Sequence, residues 1–438
     1  MKQAEAGYRA AGEEGLTYYA AMADPQPPRL PLTGTRHCDV CVVGGGFAGL
    51  STALHLAARG YETVVLEADR VGAGASGRNS GFVLPGYAME IDELAATLGP
   101  LQAERLWRLS VEGVGLVANL VGRHRIACDL KPGGLTAATA ASDLELLERQ
   151  QRLMRAFGYA RTELLDAAAI RDIVASPNYC GGLLDSGALH LDPLQFARGL
   201  ARAAIAEGTT IHENSAVVRI EPGERARAIT ARGVAEARHI VLAANAYLGA
   251  LAPRIARRIL PVTAVIGATA PLGVATAQRL LRRDVAVFDT QPALDYYRLA
   301  PDHRLIFGAA TRFVRPSRER SGAWLEQRLR QVFPQLDPPR MEFVWRGQVD
   351  LTRNRLPDIG RHEDVWYAQG FNGHGVALST LTGRVTADAI AGHPEEWMLL
   401  AGLPYRGWPG GIFVAKALLP FVRASMQLGH TLRRRIGR

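Results

Sequence analysis

Asp39-Val40-Cys41-Val42-Val43-Gly44-Gly45-Gly46-Phe47-Ala48-Gly49 begins a pattern that ends at Glu67. Asp39 to Val43 reads as a short buried strand. Leu50 to Arg59 carries helical periodicity, with Gly60 placed to end the helix. Thr63 to Leu66 is a second apolar strand, closed by Glu67. Strand, G-x-G-x-x-G, helix, strand and acid, in that order, make the dinucleotide-binding fingerprint. Gly44 permits the tight turn, Gly46 lets the backbone approach a pyrophosphate, and Gly49 lets the helix lie close to the strand. Phe47 and Ala48, within the fingerprint, are candidate cofactor contacts, and the N-terminus of the helix that follows carries about half a positive charge toward the phosphates. Glu67, with Ala68 beside it, is placed to meet a ribose diol, and its charge would repel a 2′-phosphate.

Composition sets the frame. At 438 residues two domains are expected, and 48% hydrophobic with 21% charged residues suits a packed protein able to bury a large cofactor. The formal charge of +9 lies in Arg-rich segments and at the end of the chain, in Arg433, Arg434, Arg435 and Arg438. It reads as a solvated basic surface or as a tail that touches a membrane; nucleic acid is not an expected partner. No run of about 20 apolar residues exists to span a bilayer. Gly411 to Leu428 comes closest and is interrupted by Lys416, Pro420 and Arg423, so at most it lies on a surface. Met1 to Gly15 has no apolar signal core, and a cytoplasmic location is expected, peripheral to a membrane if the tail docks.

Four cysteines do not make a disulfide framework in a chain of this size. Cys38 and Cys41 form a C-x-x-C on a strand, where they are expected to diverge; Cys128 and Cys180 read as packed thiols. His190 and His212 lack metal-ligand spacing, and no metal is expected.

The fingerprint does not choose between FAD and NAD. The next run, Arg70 to Gly81, reads Arg-Val-Gly-Ala-Gly-Ala-Ser-Gly-Arg-Asn-Ser-Gly and suits a loop lying against a ligand. Gly74, Ala75 and Ser80 supply backbone to it, and Ser76, Arg78 and Asn79 supply donors. Gly-Ala-Ser-Gly-Arg-Asn after an acid-ended strand resembles the D-amino-acid-oxidase-like flavoprotein superfamily, closest to its γ-glutamylputrescine oxidoreductase branch. That branch continues with Gly-Gly-Gln; this sequence has Ser80-Gly81-Phe82, a departure beside the expected flavin ring that bears on the substrate.

The resemblance runs from about Tyr18 into the tail, including Pro409-Gly410-Gly411. It implies FAD, with Val217 meeting adenine through its backbone and Ala244-Asn245 returning to the cofactor. It also implies a flavin-facing loop at Trp366 to Gly375, where Gly373, His374, Gly375 and Val376 open a helix toward the ring. The fold implied is α/β: a Rossmann-type FAD-binding domain with an interleaved α+β substrate domain on an antiparallel sheet. The FAD domain is expected at 36–121, 183–250 and 345–395, and the substrate domain at 122–182 and 251–344. An N-terminal extension (1–35) and a C-terminal helical tail (396–438) complete the chain. Ser142 to Glu145 reads as a capping box, and Asp295 to Arg298 and Leu305 to Gly308 as paired strands.

Flavin amine oxidation asks the protein to orient a C–H bond and stabilise a neutral amine; no nucleophile is needed. The implied activity is hydride transfer from the carbon of a C–N bond to flavin N5, giving an imine that hydrolyses. A small amine of γ-glutamylputrescine type is the expected substrate and O2 the expected acceptor. Relatives that oxidise free amino acids commonly place a carboxylate-clamping arginine where this chain has Val349, with Arg346 or Arg298 as substitutes. Asp350 is a candidate to hold the substrate ammonium or a structural carboxylate. Tyr296 and Tyr297 are candidate pocket walls, one of which must face the core; Tyr297 is taken as the site residue. His374 is a candidate for a direct chemical role or a loop histidine. Gly347 stands where some relatives carry a flavin-linked cysteine, so FAD is expected to be noncovalent. The alternatives are a secondary amino-acid oxidase of sarcosine or glycine type, a membrane-docked amine dehydrogenase and a non-enzymatic binding protein.

Overall fold

The protein is described from a computed structural model covering residues 15–291, 293–312, 317–336, 340–405, 407–408 and 414–415. Among the described residues seventeen strands divide between two sheets. The first holds β1 (Gly34–Val43), β2 (Thr63–Leu66), β7 (Thr210–His212), β8 (Val217–Glu221), β9 (Ala226–Thr230), β10 (Gly233–Leu242), β16 (Asp358–His362) and β17 (Val365–Gln369). Its order is β16-β17-β10-β1-β2-β7, with β8 and β9 branching from β10. The inner pairs β17–β10, β10–β1, β1–β2 and β2–β7 are parallel. Such strands are covered on both faces, which is why Val40 to Val43 and Thr63 to Leu66 are apolar without alternation.

The second sheet holds β3 (Phe82–Val83), β4 (Lys131–Ala138), β5 (Thr162–Leu165), β6 (Gly181–His190), β11 (Leu260–Thr269), β12 (Ala286–Asp289), β13 (Asp295–Leu299), β14 (Leu305–Arg312) and β15 (Met341–Leu351). All its described pairs are antiparallel except β4–β12, which is parallel, so the second sheet is the expected antiparallel one with a single parallel pair. Sheet membership also moves the expected domain edges. β3, most of β6 and β15 fall in segments assigned to the cofactor domain, yet they pair within the second sheet.

The helix Phe47–Ala57 is buried along nearly its whole length, between the first sheet and the helix Gly375–Ile390. That contact is close because Gly383 has no side chain: a Cβ there would lie 2.5 Å from both Ala48 O and Ser51 Cβ. Gly49 does the same toward the strand, where a Cβ would meet Gly44 O at 2.0 Å. Gly44 has φ +114°, a value that excludes most side chains.

The N-terminal segment is part of the core. Tyr19 is 1% exposed and meets Trp345 edge to face at 5.6 Å, and Arg29 pairs with the buried Glu213 at 3.0 Å. The expected capping box at Ser142 is displaced: the helix starts at Ala141 after Ala140, and Asp143 instead accepts from Thr290 Oγ1 at 2.6 Å. Cys38 and Cys41 share one apolar cluster and do not diverge; burial pushes the Cys38 thiol up to about 12. Among the described residues no helix is long and apolar enough to cross a membrane. Of the expected tail, the helix Glu395–Ala401 is described, while Pro409-Gly410-Gly411 and the terminal arginines lie outside the described residues.

Gly383→Ala is expected to force the two helices apart and cost about 1–3 kcal/mol, the usual penalty of overpacking. Urea unfolding of the holoprotein measures this, and FAD retention is expected to fall in parallel.

Candidate active site

Between the sheets lies a cavity of about 940 Å³. At one end it is lined by Gly44 to Ala48, Glu67, Ala68, Gly74, Ala75, Ser76 and the backbone around Val217. The helix Phe47–Ala57 opens here, and its N-cap, Gly46, offers no side-chain acceptor to the first-turn amides. Phe47 N donates to Ser76 Oγ at 3.0 Å. Glu67 stands beside it, its Oε2 accepting from Gly45 N at 2.6 Å and its Oε1 from Asp69 N at 2.9 Å. Desolvation pushes the Glu67 carboxyl up to about 7 despite those donors.

A second helix N-terminus reaches the same cavity. Gly373, His374, Gly375 and Val376 line it, and His374 caps the helix Gly375–Ile390 without a side-chain bond. Its Nδ1 is buried with no hydrogen-bond partner, and desolvation lowers its pKa to about 4, so the imidazole is neutral. The loop before it is pinned by Asp350, whose Oδ2 accepts from Gly370 N and, at 3.2 Å, from Phe371 N. Asn245 Oδ1 accepts from Gly370 N at 3.3 Å, and Asn372 Oδ1 from Thr352 N at 2.8 Å.

Sequence comparison agrees with this geometry. Residues 39–389 match the family model described as DAO, FAD dependent oxidoreductase. The chain is 38% identical over 401 residues to the gamma-glutamylputrescine oxidoreductase of Escherichia coli K12, covering 91% of this chain and 94% of that one. It is 28% identical over 387 residues to a glycine oxidase of Bacillus licheniformis, covering 82% and 95%. The crystal structure of glycine oxidase from Geobacillus kaustophilus shares the fold, with a TM-score of 0.69 at 23% identity over 81% of this chain and 95% of that one. The chain belongs to the FAD-dependent oxidoreductase family.

The residues of this flavoprotein fit FAD. Two helix N-termini open on one elongated cavity, a carboxylate closes the β2 end, and a buried imidazole nitrogen awaits a partner. Arg78 Nε donates to Ala73 O at 2.8 Å and its Nη1 to Gly15 O at 3.0 Å. Asn79 Nδ2 donates to Ala75 O and Ser76 O, and its Oδ1 accepts from Gly81 N at 2.8 Å. Arg78 and Asn79 line the cavity and at the same time shape the loop through these bonds.

Tyr297 is corrected. It is fully buried on the far face of the second sheet, stacked on Phe307 and bonded to Tyr179 Oη at 3.0 Å. Strand alternation sends its neighbour Tyr296 to the cavity instead, flat over Gly308, where a Cβ would stand 2.1 Å from the ring. Arg298 is 1% exposed and spends its donors on the carbonyls of Ser80 (2.6 Å), Leu191 (2.8 Å) and Leu299 (3.1 Å). Neither it nor Arg346 lines the cavity, so the expected substitute charge is absent from the wall. Asp350 lines the cavity but its carboxylate is committed to the loop amides, and burial raises its pKa. The sequence reading missed Gln150, Thr162, Asp185 and Asp289, which come to this wall from distant strands and a helix; a polar residue at an inward strand position was the available signal.

Because a ribose hydroxyl donates best to an ionised carboxylate, FAD affinity of the apoprotein should fall as pH drops through about 7, where Glu67 takes up a proton. Titration by flavin fluorescence should show this, and Glu67→Gln should lower affinity about 10-fold and flatten the pH dependence. Tyr297→Phe should cost about 1–2 kcal/mol of stability by stranding the Tyr179 hydroxyl while leaving KM unchanged. Tyr296→Ala should raise KM.

Proposed function

We propose that this flavoprotein oxidises a C–N bond of a small cationic amine, of the γ-glutamylputrescine kind, with O2 as the electron acceptor. The observation that carries the reading is the charge of the cavity wall. Beyond the cofactor end, Glu90, Asp143, Asp185 and Asp289 line the cavity. Among the described lining residues Arg78 is the one guanidinium or ammonium, and main-chain carbonyls hold it. A wall of one sign concentrates the opposite charge. A free amino acid presents its carboxylate on the carbon being oxidised, and Val349 stands where a cation for that group would be expected, whereas the carboxylate of a γ-glutamyl amine is remote from the reacting carbon. The 38% identity to gamma-glutamylputrescine oxidoreductase, over nearly the full length of both chains, supports the same substrate class.

FAD, when bound, accepts the hydride from the carbon that bears the amine. The protein's part is positioning. Phe288 and Tyr296, in register on β12 and β13, form an aromatic wall that keeps water from the reacting carbon. Asp350 acts through the loop it pins, and so is a positioning residue. His374 offers a neutral nitrogen at the helix N-terminus, where it orients a polar group without adding charge.

The amine must shed its proton before it can release hydride, so kcat/KM should rise with pH up to the ionisation of the substrate. His374→Gln should lower kcat and leave that inflection in place, because the imidazole is already neutral. The direct test is anaerobic mixing of the holoenzyme with γ-glutamylputrescine, simple amines and sarcosine. Bleaching by the first, with colour restored by oxygen, is the expected outcome. Bleaching by sarcosine alone would favour a secondary amino-acid oxidase.

A further inference from the structure

The far end of the cavity holds a polar corner that oxidation of a simple amine does not require. Thr162 on β5 pairs with Asp185 on β6, which pairs with Gly134 on β4. Side chains in such a row stand side by side, and Gly134 leaves the space next to Asp185 open. Thr162 is 5% exposed, lines the cavity, and its Oγ1 is buried there with no hydrogen-bond partner. A buried hydroxyl in that state is uncommon and calls for a ligand. Beside it, Asp185 Oδ1 accepts from Tyr159 Oη at 2.6 Å and from Gly187 N at 2.8 Å. Both donors are neutral and orient the carboxylate, and the Arg161 guanidinium lies near enough to favour its charged form.

We propose that Thr162 and Asp185 form a subsite for a second, protonated nitrogen of the substrate, distant from the amine being oxidised. The inference rests on the amine-oxidation reading and deepens it. An ammonium placed there donates to the Asp185 carboxylate and to Thr162 Oγ1, both of which accept. Leu147, Met154 and Leu183 line the same arm and suit the methylene chain between the two nitrogens. The group recognised is a primary ammonium on an alkyl chain. The far end of a free diamine supplies one directly, and the α-ammonium of a γ-glutamyl amine supplies one with a carboxylate on the same carbon, which this acidic wall disfavours.

The test is equilibrium binding to the FAD-loaded protein without oxygen, read by perturbation of the flavin spectrum. The probes are γ-glutamylputrescine, 1,4-diaminobutane and butylamine. The wild type should bind at least one diammonium probe about 10-fold or more tightly than butylamine, the scale of one charge-assisted hydrogen bond. Asp185→Asn should remove most of that preference, weakening the diammonium probe about 10-fold more than butylamine; Thr162→Val should shift the ratio in the same direction. Loss confined to γ-glutamylputrescine assigns the glutamyl ammonium, and loss confined to diaminobutane assigns the free diamine. An unchanged ratio in both variants, with wild-type melting temperatures, overturns the subsite. If Asp185→Asn fails to fold, the near-isosteric Thr162→Val decides alone. The two readings separate cleanly. A diammonium preference without bleaching by any amine sinks the proposed function and keeps the ammonium site, whereas bleaching without preference sinks the subsite alone.

Discussion

Two helix N-termini aimed into one cavity are the constraint on which the rest of the molecule depends. Neither N-cap residue, Gly46 nor His374, bonds a first-turn amide with its own side chain; Ser76 Oγ takes the Phe47 amide, and both helix starts line the space between the sheets. They converge because Gly383 lets them touch backbone to side chain at Ala48 and Ser51. The partial positive charge of one suits a pyrophosphate and that of the other suits charge on a reduced ring. FAD carries both groups in one molecule, so packing and cofactor binding are a single problem solved once.

Asp350 connects that arrangement to the second sheet. It sits on β15, accepts from the backbone at the end of β17, and interacts with Asn245 after β10. One buried carboxylate thus meets three segments from two sheets. Breaking such a site leaves several buried donors without partners, which costs more than any one of its bonds contributes. Arg298 does the corresponding task on the other side, drawing Ser80, Leu191 and Leu299 together from the second sheet. Both residues carry charges that look chemical in the sequence and are spent on geometry in the fold.

The charge of the protein and the charge of its cavity have opposite signs. The chain carries a net +9, yet the wall beyond the cofactor end is acidic. A cation that enters the cavity meets a low-dielectric wall where each carboxylate acts more strongly than it would in water. The surface charge is therefore a poor guide to the ligand, and the local one a better guide.

The local chemistry of the cofactor end was legible in the sequence because it is built from contiguous residues. Turn, helix start and acid occupy Gly44 to Glu67, and each follows from backbone sterics and the helix dipole without reference to anything distant. The paired strands at Asp295–Leu299 and Leu305–Arg312 were legible for the same reason. What only the tertiary structure decided is which side chains reach the cavity. Alternation says that Tyr296 and Tyr297 face opposite ways, but the packing of Phe307 and Tyr179 determines which way is inward. The substrate wall is assembled from β4, β5, β6, β12 and a helix, with Thr162 and Asp185 meeting only through strand register. Register is set by the pairing of whole strands, a property of the sheet that no single segment of the chain contains.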